Sequence, residues 1–381
     1  MRILFLIVRI ITGALFVFSG LVKLNDPSGF AIKLNEYFDV FSQDISSLDS
    51  FFQSLKGYSV FMSGSFCALE VLLGFAMLLG WQMRMTLSIT TALIVFFTFL
   101  TGYSAVFNKV TDCGCFGDFI HLEPWDSFKK DLILLLFVGI LWAGLKFNRA
   151  LFQSFRANQI MTGATVMTLG FGLYCYFYLP VWDFLPYKKG NDIDFIMNHI
   201  PPGERATDSV EIKFVMQKGS DSAKVTTTQY ADFAQRGYVF VRQDRKVIVK
   251  GYSSPIHDFA IHDLKNGIDY KDSFLKYSGY QVLFIAPFLS DTDVSNLDKI
   301  KELHEVISQK PEVKFYALSS ASIESSTEFA LKNGLKFSFF AADQKMLMTM
   351  ARYNPTIYLF KGSVVVNKWS GNAIPQKDEL E

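Results

Sequence analysis

The sequence predicts an α-helical integral membrane bundle followed by a soluble α/β domain, and three observations carry that prediction. Half of the 381 residues are hydrophobic and only 19% are charged, outside the usual soluble range. The bias is uneven: residues 1–180 hold several apolar runs of roughly 20 residues, each about the length that crosses a ~30 Å hydrocarbon core. Residues 185–381 mix Lys, Asp and Glu with short apolar runs, and from Ser254 onward these alternate between strand and helix periods. A net charge of +1 with no basic stripe in either half excludes a nucleic-acid partner.

The first run, Ile3 to Leu21, ends in a helix stop at Val22-Lys23-Leu24-Asn25-Asp26-Pro27. No small-residue cleavage site follows it, so it reads as a retained span. Arg9 lies two turns inside and is expected to snorkel to the cytoplasmic interface. Residues 28–57 alternate apolar and charged groups, as amphipathic helices on the membrane surface or capping the bundle do. A second span, Tyr58 to Gly80, and a third, Met85 to Phe107, form an antiparallel hairpin through the Trp81–Arg84 turn. A fourth run, Leu132 to Phe147, is short alone and is lengthened by Trp125, Phe128 and flanking Lys129, Lys130 and Lys146. A fifth, Met161 to Leu179, ends in the interface anchor Pro180-Val181-Trp182.

Glu70 sits in the middle of the second span, where a charge is expensive. It reads as a proton relay or ligand-facing group, or as a structural hydrogen bond to a neighbouring helix with Arg9 as the candidate partner. Cys67 and Cys175 read as packing residues.

Positive charge concentrates without acids at the Arg84 turn and the Lys146–Arg156 loop, which places those loops in the cytoplasm. The N-terminus then faces the cytoplasm, and the loop 104–130 and residues after the fifth span face outward. In a bacterium that is the periplasm, where disulfides persist.

The outward loop carries Thr111-Asp112-Cys113-Gly114-Cys115-Phe116-Gly117-Asp118, with half of the chain's four cysteines. Cys113 and Cys115 supply an attacking thiolate and a resolving sulfur, and Gly114 removes the side chain that would hinder a tight ring. His121 and the nearby lysines would lower a thiol pKa, while Asp112 and Asp118 push it up. A closed zinc site needs a fourth ligand beyond Cys113, Cys115 and His121, which only Asp112 or Asp118 could offer, so no metal is expected. The bland alternative is a permanent disulfide that staples the loop.

Beyond the linker 186–191, strand-like alternation at 211–217, 224–228, 238–242 and 246–250 marks a β-rich connector. Strands at 282–286, 313–318, 336–340, 356–360 and 364–368 then alternate with helices at 296–309, 323–332 and 344–352, which implies a sheet with helices on its faces. The expected divisions are 1–150, 151–185, 186–253 and 254–381.

Phe18-Ser19-Gly20-Leu21-Val22-Lys23-Leu24-Asn25-Asp26-Pro27, the Glu70 span ending in Leu78-Leu79-Gly80, and Cys113-Gly114-Cys115-Phe116-Gly117 together resemble the DoxX-type membrane proteins, in particular their MauE branch. The resemblance covers about residues 1–150. It implies a four-helix membrane bundle and an association with the maturation of a disulfide-rich periplasmic subunit. Pro255-Ile256-His257-Asp258-Phe259, Asn266-Gly267 and Asn354-Pro355-Thr356 resemble a thioredoxin-like domain, with Pro355 implied as its cis-proline. Where such a domain carries Cys-x-x-Cys, this chain has Pro287-Phe288-Leu289-Ser290-Asp291, so thiol chemistry falls to the membrane half. The whole arrangement resembles DoxX-family proteins of Bacteroidetes.

The expected function is an inner-membrane thiol–disulfide relay or maturation factor. Cys113 and Cys115 are its redox pair, His121 a modulator, and Glu70 an intramembrane polar site. No cofactor is evident; a membrane quinone could carry the electrons. The partners are the bilayer and a periplasmic protein or thiol client, with the thioredoxin-like domain as docking module. The rival is a non-catalytic scaffold with a structural Cys113–Cys115 disulfide. A small-molecule permease ranks last, because no inverted repeat or broken helix is visible.

Overall fold

The computed structural model describes residues 2–110, 114–120, 122–147, 150–205, 209–219, 221–226, 229–249 and 251–375. They fall into two units, Met1–Gly190 with Ala260–Glu381, and Asn191–Phe259.

The first unit opens on α1 (Arg2–Asn25). Asp26 stops it and caps α2 (Pro27–Asp44), accepting the Gly29 N–H at 2.9 Å, with Pro27 in the first turn where a missing N–H costs nothing. α2 buries Phe30, Leu34, Tyr37, Phe38 and Phe41, a helical stripe that packs with Phe52 of α3 (Asp49–Lys56) as a cap on the bundle. α4 (Ser59–Leu79) ends at Gly80, whose φ of 69° closes the helix, and α5 (Met83–Phe107) returns as the expected hairpin. α1 and α4 touch backbone to backbone: a Cβ on Gly74 would sit 2.6 Å from Val17 N and 2.7 Å from Gly13 O. Small residues at such a crossing let helices gain contact area that lipid cannot supply.

Arg9 departs from expectation. It is 2% exposed, because it shares the inward face of α1 with Thr12, Phe16, Ser19 and Lys23 at helical spacing. It does not snorkel.

Four helices, α1, α4, α5 and α7 (Ser154–Phe177), are long and apolar enough to cross a membrane. α6 (Pro124–Ala143) is not among them, since Asp126, Lys129, Lys130 and Asp131 occupy its first turns. Its surroundings nonetheless require it to traverse the bundle. After α6, Phe147 stacks on Phe5 at the start of α1, Leu151 N–H donates to Leu79 O at 2.9 Å, and Trp81 Nε1 donates to Asn158 at 2.7 Å. Before α6, Cys115 lies against Ser19 near the other end of α1. α6 therefore joins opposite faces, with its charged end sheltered: Asp131 is 2% exposed and accepts from Thr101 Oγ1 at 2.9 Å.

In the second unit, α8 (Ile193–Asn198) precedes a sheet of β1 (Ser209–Lys218), β2 (Asp221–Thr226) and, after α9 (Tyr230–Gln235), β3 (Val239–Val249), in the order β2-β1-β3. The expected break between strands at 238–242 and 246–250 is absent. β3 runs through Gln243-Asp244-Arg245 because all three pair antiparallel with β1, opposite Phe214, Lys213 and Ile212. Residues 227 and 228, expected to end the second strand, lie outside the described residues.

The rest of the first unit contains β4 (His262–Asp263), α10 (Lys271–Leu275), β5 (Tyr280–Ile285), α11 (Leu297–Ser308), β6 (Val313–Ser319), α12 (Ile323–Asn333), β7 (Phe339–Ala341), α13 (Gln344–Met350), β8 (Thr356–Lys361) and β9 (Val364–Ser370). Strand order is β4-β7-β6-β5-β8-β9, with β5, β6 and β7 parallel and β8 and β9 antiparallel. Ser322 and Asp343 cap α12 and α13, accepting the N–H of Ser325 and Met346. Phe284, Ile300, Ile307, Phe339 and Ile357 form the core between helices and sheet. The Asn354–Pro355 peptide is cis. The fold is thus a helical membrane bundle followed by a sheet-containing domain of the thioredoxin-like arrangement.

Candidate functional site

Cys113 and His121, with Thr111 and Asp112, lie outside the described residues. What is described of the motif is the turn 114–120. Gly114 and Gly117 take φ of 64° and 53°, which residues with a Cβ rarely adopt, and Gly117 N–H donates to Gly114 O at 3.0 Å. The turn lies against the end of α1: Ser19 Oγ donates to Cys115 O at 3.0 Å, and Phe18 meets Phe116 and Phe119 at 6.3 and 5.8 Å between ring centroids. Phe119 also packs on Phe184, and Lys130 Nζ lies 5.3 Å from the centre of the Phe116 ring.

Beneath the turn is a cavity of about 70 Å³ between α1, α2, α4, α5 and α6. Cys115 lines it together with Ser19, Lys23, Glu70, Thr101 and Asp131 among mostly aromatic and aliphatic walls. Glu70 forms a buried ion pair with Lys23, not with Arg9 as the sequence reading allowed. The reason is register: Lys23 is two helical repeats of seven beyond Arg9 on the same face of α1, and it alone lies level with Glu70. Lys23 Nζ also sits 5.0 Å from the Phe97 ring centre and 5.5 Å from that of Phe30. The cavity is about half the ~150 Å³ that holds a benzene ring, and its polar lining suits a few ordered waters. A quinone ring would need its walls to move.

On the other side of the turn stands Arg352. Its Nη2 donates to Asp118 Oδ2 at 2.8 Å and its Nε to Asp26 Oδ2 at 2.6 Å, while Nη1 donates to Met348 O at 2.8 Å. Ser28 Oγ donates to the Arg352 carbonyl at 2.9 Å. Burial disfavours the guanidinium charge, but Asp26 and Asp118 outweigh it and raise the Arg352 pKa. The Asp26 carboxyl is itself pushed above its ordinary range, first by burial and then by the charge of Asp118, against the pull of Arg352.

Beside Arg352, the segment that replaces Cys-x-x-Cys is tied to the cis-proline loop. Asn354 Nδ2 donates to Phe288 O at 2.8 Å, and Tyr353 Oη donates to Asp293 at 2.6 Å. Burial and that bond push the Tyr353 hydroxyl up to about 12.

The structure therefore brings Cys115 and Glu70 to one cavity. Sequence reading missed Lys23, Asp131, Asp26 and Arg352 as parts of this site. Lys23 could have been found from its spacing to Arg9. Arg352 carried no local signal, since its partners lie 234 and 326 positions away. No group of three potential metal-ligating side chains occurs among the described residues, and the zinc ligands considered above lie largely outside them.

No curated protein matches the chain. Among solved structures it is similar to a peroxiredoxin-like protein from Aquifex aeolicus, at 13% identity over 32% of this chain and 79% of that one, with a TM-score of 0.24. It is also similar to an uncharacterized conserved protein from Geobacillus kaustophilus, at 19% identity over 32% of this chain and 73% of that one, with a TM-score of 0.23. Residues 1–144 match the family model described as Methylamine utilisation protein MauE, so the helical half of the chain, with the Cys turn at its mouth, is similar to that membrane family.

Proposed function

We propose that the protein is a thiol–disulfide relay of a bacterial inner membrane, exchanging a disulfide between Cys113/Cys115 and a protein client on the periplasmic side. In a single exchange a client thiolate attacks the Cys113–Cys115 disulfide, and a mixed disulfide forms as one loop sulfur leaves as thiolate. The client's second thiolate then resolves it, leaving the client oxidised and the pair reduced; the reverse sequence reduces the client. The observation that carries this reading is Cys115 on a turn held between a polar-floored cavity and Arg352. Lys23, Glu70 and Asp131 give that cavity groups able to hold water next to the reacting turn. The cysteine-free C-terminal domain is the docking module. A membrane quinone as direct electron carrier fits less well, given the cavity volume.

The second reading is a scaffold in which a Cys113–Cys115 disulfide staples the loop, favoured by how many contacts already pin the turn. Thiol trapping in intact cells separates the two. The relay predicts that the redox state of the pair changes with growth conditions and that Cys113→Ser accumulates a mixed disulfide through Cys115. A pair that stays oxidised throughout, with client disulfides unchanged in Cys113→Ser, overturns the relay and leaves the scaffold.

A further inference from the structure

Arg352 belongs to the domain without cysteines, yet its charge is satisfied outside it. Its own domain offers the side chain the Met348 carbonyl, while both carboxylates it meets come from the bundle: Asp26 at the α1–α2 junction and Asp118 in the Cys turn. The side chain is only 5% exposed. A guanidinium taken out of water needs such partners, so its position is defined only when the domain lies on the turn. Within the described residues 114–120 the turn's own ladder is a single bridge, Phe116 with Ile120. Its described contacts run to Ser19 and the Phe18 ring, to Phe184 and Lys130, and to Arg352, which holds it through Asp118, three residues from Cys115.

Other ties between domain and bundle among the described residues avoid the turn, Lys345 with Glu36 at 3.9 Å among them. Asn372 Nδ2 donates to Phe177 O at 2.8 Å, Lys368 pairs with Asp183 at 2.7 Å, and Ser28 reaches the Arg352 carbonyl. Breaking the Arg352–Asp118 contact should therefore free the turn while the domain stays docked.

Building on the exchange chemistry proposed above, we infer that Arg352 is a positioning residue for Cys115: it clamps the turn 114–120 over the cavity, so the domain's first docking partner is the chain's own thiol loop. A client reaches Cys115 when this clamp opens. The domain thus sets access to the thiols as well as offering a surface to the client.

The test measures alkylation of Cys115 in the full-length reduced protein in lipid nanodiscs, with Cys67→Ala and Cys113→Ser. Cys175, 2% exposed inside α7, is kept as an internal control. Asp118→Ala removes the turn's half of the contact and leaves Arg352 on Asp26; Arg352→Met removes both. Each should speed modification of Cys115 by about tenfold, the scale of one charge-assisted hydrogen bond, while Cys175 stays protected. An unchanged Cys115 rate in Asp118→Ala overturns the clamp. So does a parallel rise at Cys175, which would mean general loosening. Alkylation requires no turnover, so a failed client assay with the expected alkylation pattern would remove the relay and leave the clamp standing.

Discussion

Replacing Glu70 by Gln tests the polar floor of the cavity most directly. The side chains of Lys23 and Glu70 are 4% and 8% exposed, so the substitution strands an ammonium ion in the bundle without its counter-charge. The Phe30 and Phe97 rings remain within 5.5 Å of Lys23 Nζ, and each such contact is worth about 0.5–2 kcal/mol, less than the ion pair it would have to replace. Removing one partner of a buried pair costs about 3–5 kcal/mol, whereas removing both is often close to neutral. Unfolding of the purified protein in mixed micelles should show Glu70→Gln destabilised by that amount. Lys23→Met alone should be destabilised likewise, and the double variant Lys23→Met/Glu70→Gln should return to within about 1 kcal/mol of wild type, far below the sum of the two single changes. If Glu70→Gln costs less than about 1 kcal/mol and the two changes add, the pair does not bear on the bundle and the reasoning fails.

Two further outcomes are expected. Gly74→Val should destabilise the bundle by at least about 1–3 kcal/mol in the same assay, because the atoms it meets on α1, Val17 N and Gly13 O, are backbone and cannot swing aside; Gly163→Ala on α7, where an added Cβ meets nothing within 4 Å, should not. His304 lies between Phe315 and Phe337 at 4.9 and 5.0 Å, and burial holds its pKa below 6.5, with Lys336 assisting and Glu305 opposing. The unfolded chain then binds the proton more readily, so this contribution is complete above pH 6.5 and is lost as pH falls from there through the folded pKa. Thermal melting should show wild type losing more stability than His304→Phe across that window; parallel curves would refute it.

Much of this was legible in the sequence because it depends on short-range pattern. The 3.6-residue stripes of α1 and α2, Pro27 after a capping Asp26, Gly80 closing α4, and the period change after Ser254 each express a local preference. The limits show at particular residues. Arg9 read as a snorkelling arginine because sequence reports depth along a helix and not the direction its face turns. α6 misses the composition of a span because of Asp126, Lys129, Lys130 and Asp131, and packing beside Thr101 and Phe116 is what accommodates Asp131 and Lys130. Cys115 and Glu70 could each be singled out in the chain, but their shared cavity with Lys23 could not. The sequence by itself determined the apolar runs of the bundle, the strand and helix alternation after Ser254, and that the thiols belong to the membrane half. Tertiary structure decided which charges meet: Glu70 with Lys23, and Arg352 with Asp26 and Asp118. Pairing of buried charges is a matter of distance and desolvation in three dimensions, and residues 234 positions apart carry no trace of it in their local order.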